Sequence, residues 1–365
     1  LRPDKCGAYD RLELVRGEEL TPGGTFADVH RTPEGLMVVG SPIGTPAFVL
    51  EGLRQKGLRP AQELYAQLIQ LPTAQDGLTL LRSSGITKYS YYARVTPPAE
   101  AAEVGAEFDQ ATAETFGALT EISLEELFEV RPGLGKESSA WSQAQLPARL
   151  MGAGMQCQEA LAPLAYLSSL AQCLGPLARA FPELQPHLNA LRRADAEEDQ
   201  LLPPLQQANQ ALRNIKDSRL AATLGKDVLF TWDQVLDRAR GWPRVQRRLS
   251  RAWDIKKALE INNLDGDEPW HRSRTRSSGG SGNLLGMWIT ASPEGSTSKL
   301  PDAMVYFAVR WRLGLRIPTG MLAEPTVCGQ TRPDPYGRHA GSCNWGGGRQ
   351  AHHNYLAACL RLILT

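Results

Sequence analysis

The sequence predicts a mainly α-helical protein with a small β element at its N-terminal end and a short cysteine–histidine loop region near its C-terminus. Three observations carry this prediction. From residue 45 to about residue 261, apolar side chains recur at helical spacing between proline and glycine breaks. Before residue 45 the apolar runs are short and flank turn residues, as strands do. After residue 321, glycine and proline are too frequent for regular helices or strands.

Composition limits the function classes. The chain has 365 residues and 42% hydrophobic residues, which is ordinary for a folded protein with several cores. The formal net charge of +1 argues against a protein that is basic throughout, so nucleic-acid contacts require local patches. The six cysteines are far apart and follow no signal peptide, so we expect reduced thiols and a nuclear or cytoplasmic, not secreted, protein. Because the chain starts at Leu1 and stops within an apolar run, we expect both ends to be cuts.

The N-terminal part contains two candidate strands. Residues 12–15 and 35–40 are apolar runs separated by a Thr-Pro-Gly-Gly turn, which predicts a hairpin or a sheet edge. The second run leads into Gly-Ser-Pro-Ile-Gly at residues 40–44. Two glycines around a proline predict a tight, exposed turn that another backbone can approach closely. It is not a phosphate loop, since no Gly-Lys-Ser/Thr follows.

Two segments of the helical region have unusual charge. Residues 107–129 contain seven carboxylates and no basic residue, for which we expect an exposed acidic helix rather than a metal or catalytic pair. Residues 160–178 carry no charge, but Pro163, Gly175 and Pro176 interrupt them. We therefore expect a buried core helix and no membrane span.

Residues 242–260 form the most basic predicted helix. Apolar side chains recur along it at helical spacing, so one face is expected to pack inward. The opposite face could lie on phosphates, and a merely solvated basic face is the alternative. The candidate phosphate-binding residues are Arg244, Arg247, Arg248 and Arg251.

The C-terminal loop offers three candidate zinc ligands. Cys328, His339 and Cys343 have the spacing C-x10-H-x3-C on a loop rich in glycine and proline. A closed structural site needs four ligands, and Thr326 stands where a further thiolate would complete a C-x-C-G pair. Zinc and a glycine-rich loop with free thiols both stay open as interpretations. A Ser- and Gly-rich stretch at 262–283 predicts a flexible linker before this region.

Several stretches carry a family resemblance when they are taken together. They are PDKC at residues 3–6, VGSPIG at 39–44, LPARLMGAG at 146–154, AYLSSL at 165–170, MWITASP at 287–293, RLGL at 312–315, and the loop from Cys328 to GGR at 347–349 and HN at 353–354. In this order they resemble the carboxyl-terminal part of the reverse transcriptases of non-long-terminal-repeat retrotransposons. The first stretch resembles the block after the catalytic Tyr-x-Asp-Asp hairpin of the palm, with Lys5 near the incoming nucleotide. The second is similar to the primer grip, and the last to a zinc knuckle.

The resemblance implies a domain organisation. Residues 1–52 would be the end of a polymerase palm with the primer-grip-like residues Gly40, Ser41, Pro42, Ile43 and Gly44. Residues 53–261 would form a helical thumb and connector, and 284–348 a helical segment with the zinc-knuckle-like loop. Residues 349–365 would begin a nuclease-like domain.

The resemblance also implies a function with a missing part. The partners would be an RNA template and a DNA primer or target, and the polymerase would use Mg²⁺. No Tyr-x-Asp-Asp precedes Lys5, so the magnesium-binding carboxylates are expected upstream of Leu1 and the segment alone is not expected to catalyse. The alternative is a non-catalytic helical nucleic-acid-binding or scaffold protein from a decayed or domesticated element. A nuclease built on His339, His352 and His353 is disfavoured because no carboxylate lies at a motif spacing.

Overall fold

A computed structural model describes residues 7–9, 30–130, 139–193, 201–216, 220, 231–241, 244–262, 289, 299–318 and 336. Of these residues 75% are helical, and a small antiparallel pair of strands lies near the N-terminus, which confirms the mainly helical prediction and its small β element. The α-helices are α1 (Pro46–Leu53), α2 (Arg59–Leu68), α3 (Ala74–Leu80), α4 (Ser90–Val95), α5 (Pro98–Thr120), α6 (Leu124–Phe128), α7 (Ala140–Ala144), α8 (Gln158–Ala180), α9 (Gln185–Arg192), α10 (Pro203–Asn214), α11 (Trp232–Gly241), α12 (Val245–Asn262) and α13 (Asp302–Leu313).

The strands form two short pairs in the described part of the chain. β1 (Gly7–Tyr9) pairs in parallel with β2 (His30–Thr32). β3 (Gly35–Val38) pairs antiparallel with β4 (Ser41–Gly44), with Gly35 opposite Gly44 and Val38 opposite Ser41. The predicted strand at 12–15 and its turn lie outside the described residues.

Contacts divide the chain into two compact units, each made of three segments. The first contains residues 1–63, 87–110 and 157–253, and the second contains residues 64–86, 111–156 and 254–365. The predicted domain boundaries stay predictions.

In the first unit, α8 is the central helix. Helices α4, α10 and α11 pack on it, and its inward face includes the buried Leu161, Leu164 and Leu167. Residues 160–178 therefore lie in a core helix, as predicted. By length and composition alone α8 could also cross a bilayer, which is weak evidence because core helices share both properties.

The second unit has buried aromatic and charged groups. Trp141 packs against the rings of Phe116 and Phe128, with ring centroids 5.9 and 6.2 Å away. Arg310, only 5% exposed, donates from Nη1 to Glu126 over 2.8 Å. This pair fixes α13 against the start of α6. Ser123 and Glu126 form a capping box at the N-terminus of α6.

The acidic segment at 107–129 differs from its prediction. It spans the end of α5 and all of α6, and much of α5 is buried, including Asp109, Thr112 and Thr115. The prediction of an exposed acidic helix is therefore wrong for the part of this segment that lies in α5. The physical reason is that Phe108, Phe116 and small residues give α5 apolar contacts on several sides.

Candidate nucleic-acid interface

The turn between β3 and β4 consists of two residues in left-handed conformation. Val39 has φ +52° and Gly40 has φ +82°. Two left-handed residues match the twist of the flanking strands, and for this reason two-residue hairpin turns generally favour Asn-Gly or Gly-Gly at these positions. Valine is β-branched and pays about 1–2 kcal/mol for this conformation. The tip of the hairpin is therefore strained at Val39.

A tyrosine side chain holds the strained residue in place. The hydroxyl of Tyr91 in α4 donates to the carbonyl oxygen of Val39 over 2.7 Å. The Tyr91 ring meets the ring of Tyr92 edge to face, with centroids 5.3 Å apart, and the Tyr92 hydroxyl donates to the carbonyl oxygen of Lys56 over 3.1 Å. The hairpin tip is thus tied to α4 and to the π-helical segment that joins α1 and α2.

The tyrosines rest on the core of the first unit. Tyr89 is fully buried, and its hydroxyl donates to the carbonyl oxygen of Ala101 over 2.7 Å. Burial raises the pKa of Tyr89, and the nearby Asp109 and Glu107 raise it further, so the hydroxyl stays protonated and can donate. A Cβ atom at Gly57 would lie 3.1 Å from the Tyr92 ring, so glycine permits the close approach here.

The hairpin exposes apolar side chains to solvent. Val39 is 87% exposed and Ile43 is 48% exposed, with Met37, Val38 and Tyr91 each exposed by about two fifths. We call these five residues the hairpin-tip surface. Three exposed cations lie on the segments that hold the tyrosines. Lys88 lies in the short helical turn before α4, Arg94 lies in α4, and Lys56 lies in the π-helical segment that binds Tyr92.

The structure shifts the predicted turn towards the N-terminus. Gly40 lies in the turn, but Ser41, Pro42, Ile43 and Gly44 form β4, and Ser41 and Pro42 are buried. A Cβ atom at Gly52 would lie 2.7 Å from Cβ of Pro42, so Pro42 packs closely on α1. The prediction of an exposed turn over the whole stretch is therefore wrong, because Val39 takes the first turn position.

The basic helix has the two faces that its sequence predicts. Val245 and Leu249 of α12 are buried, and Arg247 and Arg251 are exposed. Arg244, in the turn before α12, is also exposed, so the three exposed arginines share one face at helical spacing. We call Arg244, Arg247 and Arg251 the arginine row. Arg248 is half-buried and does not belong to this row.

Two stretches that carry the family resemblance meet in the second unit. The Nε atom of Arg312 donates to the carbonyl oxygen of Gly152 over 2.7 Å, and its Nη2 atom donates to that of Ala148. The Gln143 side chain donates to the carbonyl oxygens of both Met151 and Arg312. Since Arg312 is only 3% exposed, these contacts are structural and offer no surface to a ligand.

A further polar cluster, which the sequence did not predict, lies at the start of α8. The Asp109 carboxylate accepts the backbone N–H groups of Gln158 and Glu159 over 2.8 and 3.0 Å and the Cys157 thiol over 3.3 Å. Burial raises the pKa of Asp109 to about 7, against the effect of its donors, and raises that of Cys157 well above its usual value.

Among the described residues, Asp109, Cys157 and Glu159 also form a group of potential metal ligands. Their ligand atoms all lie within 4.8 Å of one another. The two N–H groups and the thiol already engage the Asp109 oxygens, and the raised pKa of Cys157 disfavours a thiolate. The cluster identifies neither Mg²⁺ nor Zn²⁺ and serves as the cap of α8.

Several predicted site residues lie outside the described residues. These are Lys5 and the candidate zinc ligands Cys328, His339 and Cys343. Sequence reasoning also did not single out the hydrogen-bonded pair of Val39 and Tyr91 at the hairpin tip. The tyrosine-rich run at 89–92 was the available signal for Tyr91, whereas a left-handed valine has no signature in a sequence.

Comparisons of the chain with protein-family models, with curated proteins and with solved structures gave no match.

Proposed function

We propose that this chain is part of an RNA-directed DNA polymerase of the non-long-terminal-repeat retrotransposon type and that it holds the template–primer. In this role the hairpin would be the primer grip, and the helices that follow β4 would form the thumb. The observation that carries the proposal is the hairpin itself. Its tip falls on the VGSPIG stretch, exposes apolar side chains to solvent and is held by the hydrogen bond from Tyr91.

The chemistry of the hairpin-tip surface suits a nucleic-acid backbone and its sugars. Apolar side chains such as Val39 and Ile43 can pack on deoxyribose and base edges without reading sequence. The exposed Lys56, Lys88 and Arg94, on the segments that hold Tyr91 and Tyr92, would supply phosphate contacts, which are independent of sequence and weaken as salt rises. A grip on any primer requires this kind of contact.

The arginine row supports the same proposal from a second surface of the first unit. Its three guanidinium groups lie along one helical face and can neutralise successive phosphates. Arg248, which the sequence grouped with them, is left out because it is half-buried.

The described residues do not provide a magnesium site of the polymerase type. The group formed by Asp109, Cys157 and Glu159 contains a thiol, and Mg²⁺ prefers oxygen ligands in octahedral geometry. The described residues therefore do not fit a two-magnesium polymerase centre, and we derive no catalytic step through it.

The binding part of the proposal can be tested with a charge placed at the hairpin tip. In Val39→Glu a carboxylate replaces a side chain that is 87% exposed, so the fold should be kept while phosphates are repelled. We expect the affinity for an RNA–DNA template–primer, measured by fluorescence anisotropy, to fall roughly tenfold. Phe181→Glu, at an exposed residue of α8's C-terminal end, is the matched control and should bind like the wild type. Equal affinities in the two variants would remove the hairpin from the interface.

Primer extension distinguishes polymerase from the alternative. The alternative is a non-catalytic nucleic-acid-binding protein of a decayed or domesticated element, in which the hairpin and the arginine row would bind without chemistry. Protein translated from the complete reading frame should extend a DNA primer on an RNA template in Mg²⁺ buffer. Binding without extension would favour the alternative.

A further inference from the structure

The Tyr91 ring is both exposed and fixed, a combination that indicates a contact surface. Its side chain is 43% exposed, yet its hydroxyl is held by Val39 and its ring is held by Tyr92. An aromatic ring held in this way loses little conformational entropy when a planar partner stacks on it. The core contacts of this segment are made by Tyr89 and Ala93, which are buried, so packing of the core does not explain the position of the Tyr91 ring.

The charges around Tyr91 favour an anionic partner. Lys88 and Arg94 are three residues before and after Tyr91, a spacing that places side chains next to each other on a helical surface. Neither cation forms a salt bridge with a carboxylate of the described residues. Two carboxylates of α5, Glu103 and Glu107, are paired with Arg54 at 3.1 and 2.6 Å, so part of the acidic charge of α5 is neutralised.

We propose that Tyr91 is a stacking platform for an unpaired base of single-stranded nucleic acid, with Lys88 and Arg94 contacting the flanking phosphates. An aromatic face between cations is the arrangement by which proteins bind single strands without sequence preference. A paired base inside a duplex has both faces covered by its neighbours, so the platform selects unpaired nucleotides. This inference rests on the proposed function and adds a ligand class to it, the single-stranded part of a template–primer.

The test compares two substrates with the same paired length. One is a blunt RNA–DNA duplex, and the other carries a single-stranded template overhang with 2-aminopurine as an unpaired base. The wild type should bind the overhang substrate more tightly and quench the 2-aminopurine fluorescence. Tyr91→Leu should lose most of the quenching and roughly tenfold in affinity for the overhang substrate, and clearly less than that in affinity for the blunt duplex.

Two further variants separate the ring from its hydroxyl and from general exposure. Tyr91→Phe keeps the ring and should retain most of the quenching although it loses the hydrogen bond to Val39. Phe181→Leu removes an exposed ring elsewhere in the first unit and should behave like the wild type.

The outcomes separate the two proposals. Binding of both substrates with no quenching, or equal loss of both in Tyr91→Leu, overturns the stacking platform and leaves the template–primer proposal standing. Binding of neither substrate by the wild type overturns both proposals.

Discussion

The Nε atom of Arg312 lies 2.7 Å from the carbonyl oxygen of Gly152, although the two residues are 160 positions apart in the chain. Burial lowers the pKa of Arg312 to about 10, which still leaves the guanidinium charged at neutral pH. A Cβ atom at residue 152 would collide with the backbone of Leu146, so the loop closes around Arg312 only with glycine there. Two stretches that look unrelated in the sequence therefore form one structural unit.

Replacing Arg312 by lysine should destabilise the protein. Lysine cannot direct separate donors at the carbonyl oxygens of Gly152 and Ala148 from a planar group. We expect the free energy of unfolding in urea to fall by about 2–3 kcal/mol. Arg316→Lys is the matched control, because its side chain is exposed, and should change stability little. Equal stability of the two variants would contradict the structural role of Arg312.

The hairpin turn gives a pair of opposite substitutions. Val39→Gly removes a β-branched residue from a left-handed conformation and should stabilise the protein by about 1 kcal/mol. Gly40→Ala should destabilise it by about 1 kcal/mol through backbone strain alone, because an added Cβ meets no atom within 4 Å. Thermal unfolding measures both changes. A shift of the same sign in both variants would be inconsistent with this turn geometry.

Asp109 predicts a pH dependence of stability. Its folded-state pKa is raised to about 7 from an ordinary 3.8, so the folded protein keeps a proton that the unfolded chain has released. Stability from this group is complete below about pH 4 and is lost as pH rises through about 7, by roughly 1.4 kcal/mol per pH unit between the two values.

Denaturation curves between pH 4.5 and pH 7.5 check this prediction. Asp109→Asn should flatten the slope, and Asp254→Asn should flatten it independently, because burial raises the pKa of Asp254 to about 7 as well. An unaltered slope in Asp109→Asn would remove this carboxyl as its source.

The arginine row predicts a salt effect on binding. Arg247→Ala combined with Arg251→Ala removes two exposed guanidinium groups and leaves the buried Val245 and Leu249 in place. The slope of log affinity against log salt should become shallower by about 2 for duplex nucleic acid. Arg179→Ala combined with Arg193→Ala removes the same charge from exposed positions elsewhere and should keep the wild-type slope.

The spacing of apolar residues was sufficient to predict a helix and its buried face where these depend on the residues of that helix alone. The apolar stripe of Val245 and Leu249 placed Arg247 and Arg251 of α12 on the outside, and the charge-free stretch at 160–178 indicated a core helix, because both signals are local. The first turn position at Val39 was not predictable, since its conformation depends on a hydrogen bond from Tyr91, 52 residues later. The burial of Asp109 was not predictable either, because its hydrogen-bond donors lie on another helix.

The Asp109 contact also bears on the order in which the protein folds. Helix α8 begins at Gln158, yet the acceptor for the amide of that residue lies 49 positions earlier, and Cys157 provides no side-chain cap. The first turn of α8 can therefore be completed only after α5 has docked beside it, which adds a non-local closure to folding. The amides of Gln158 and Glu159 should gain protection from hydrogen exchange at the docking step, later than the amides in the middle of α8.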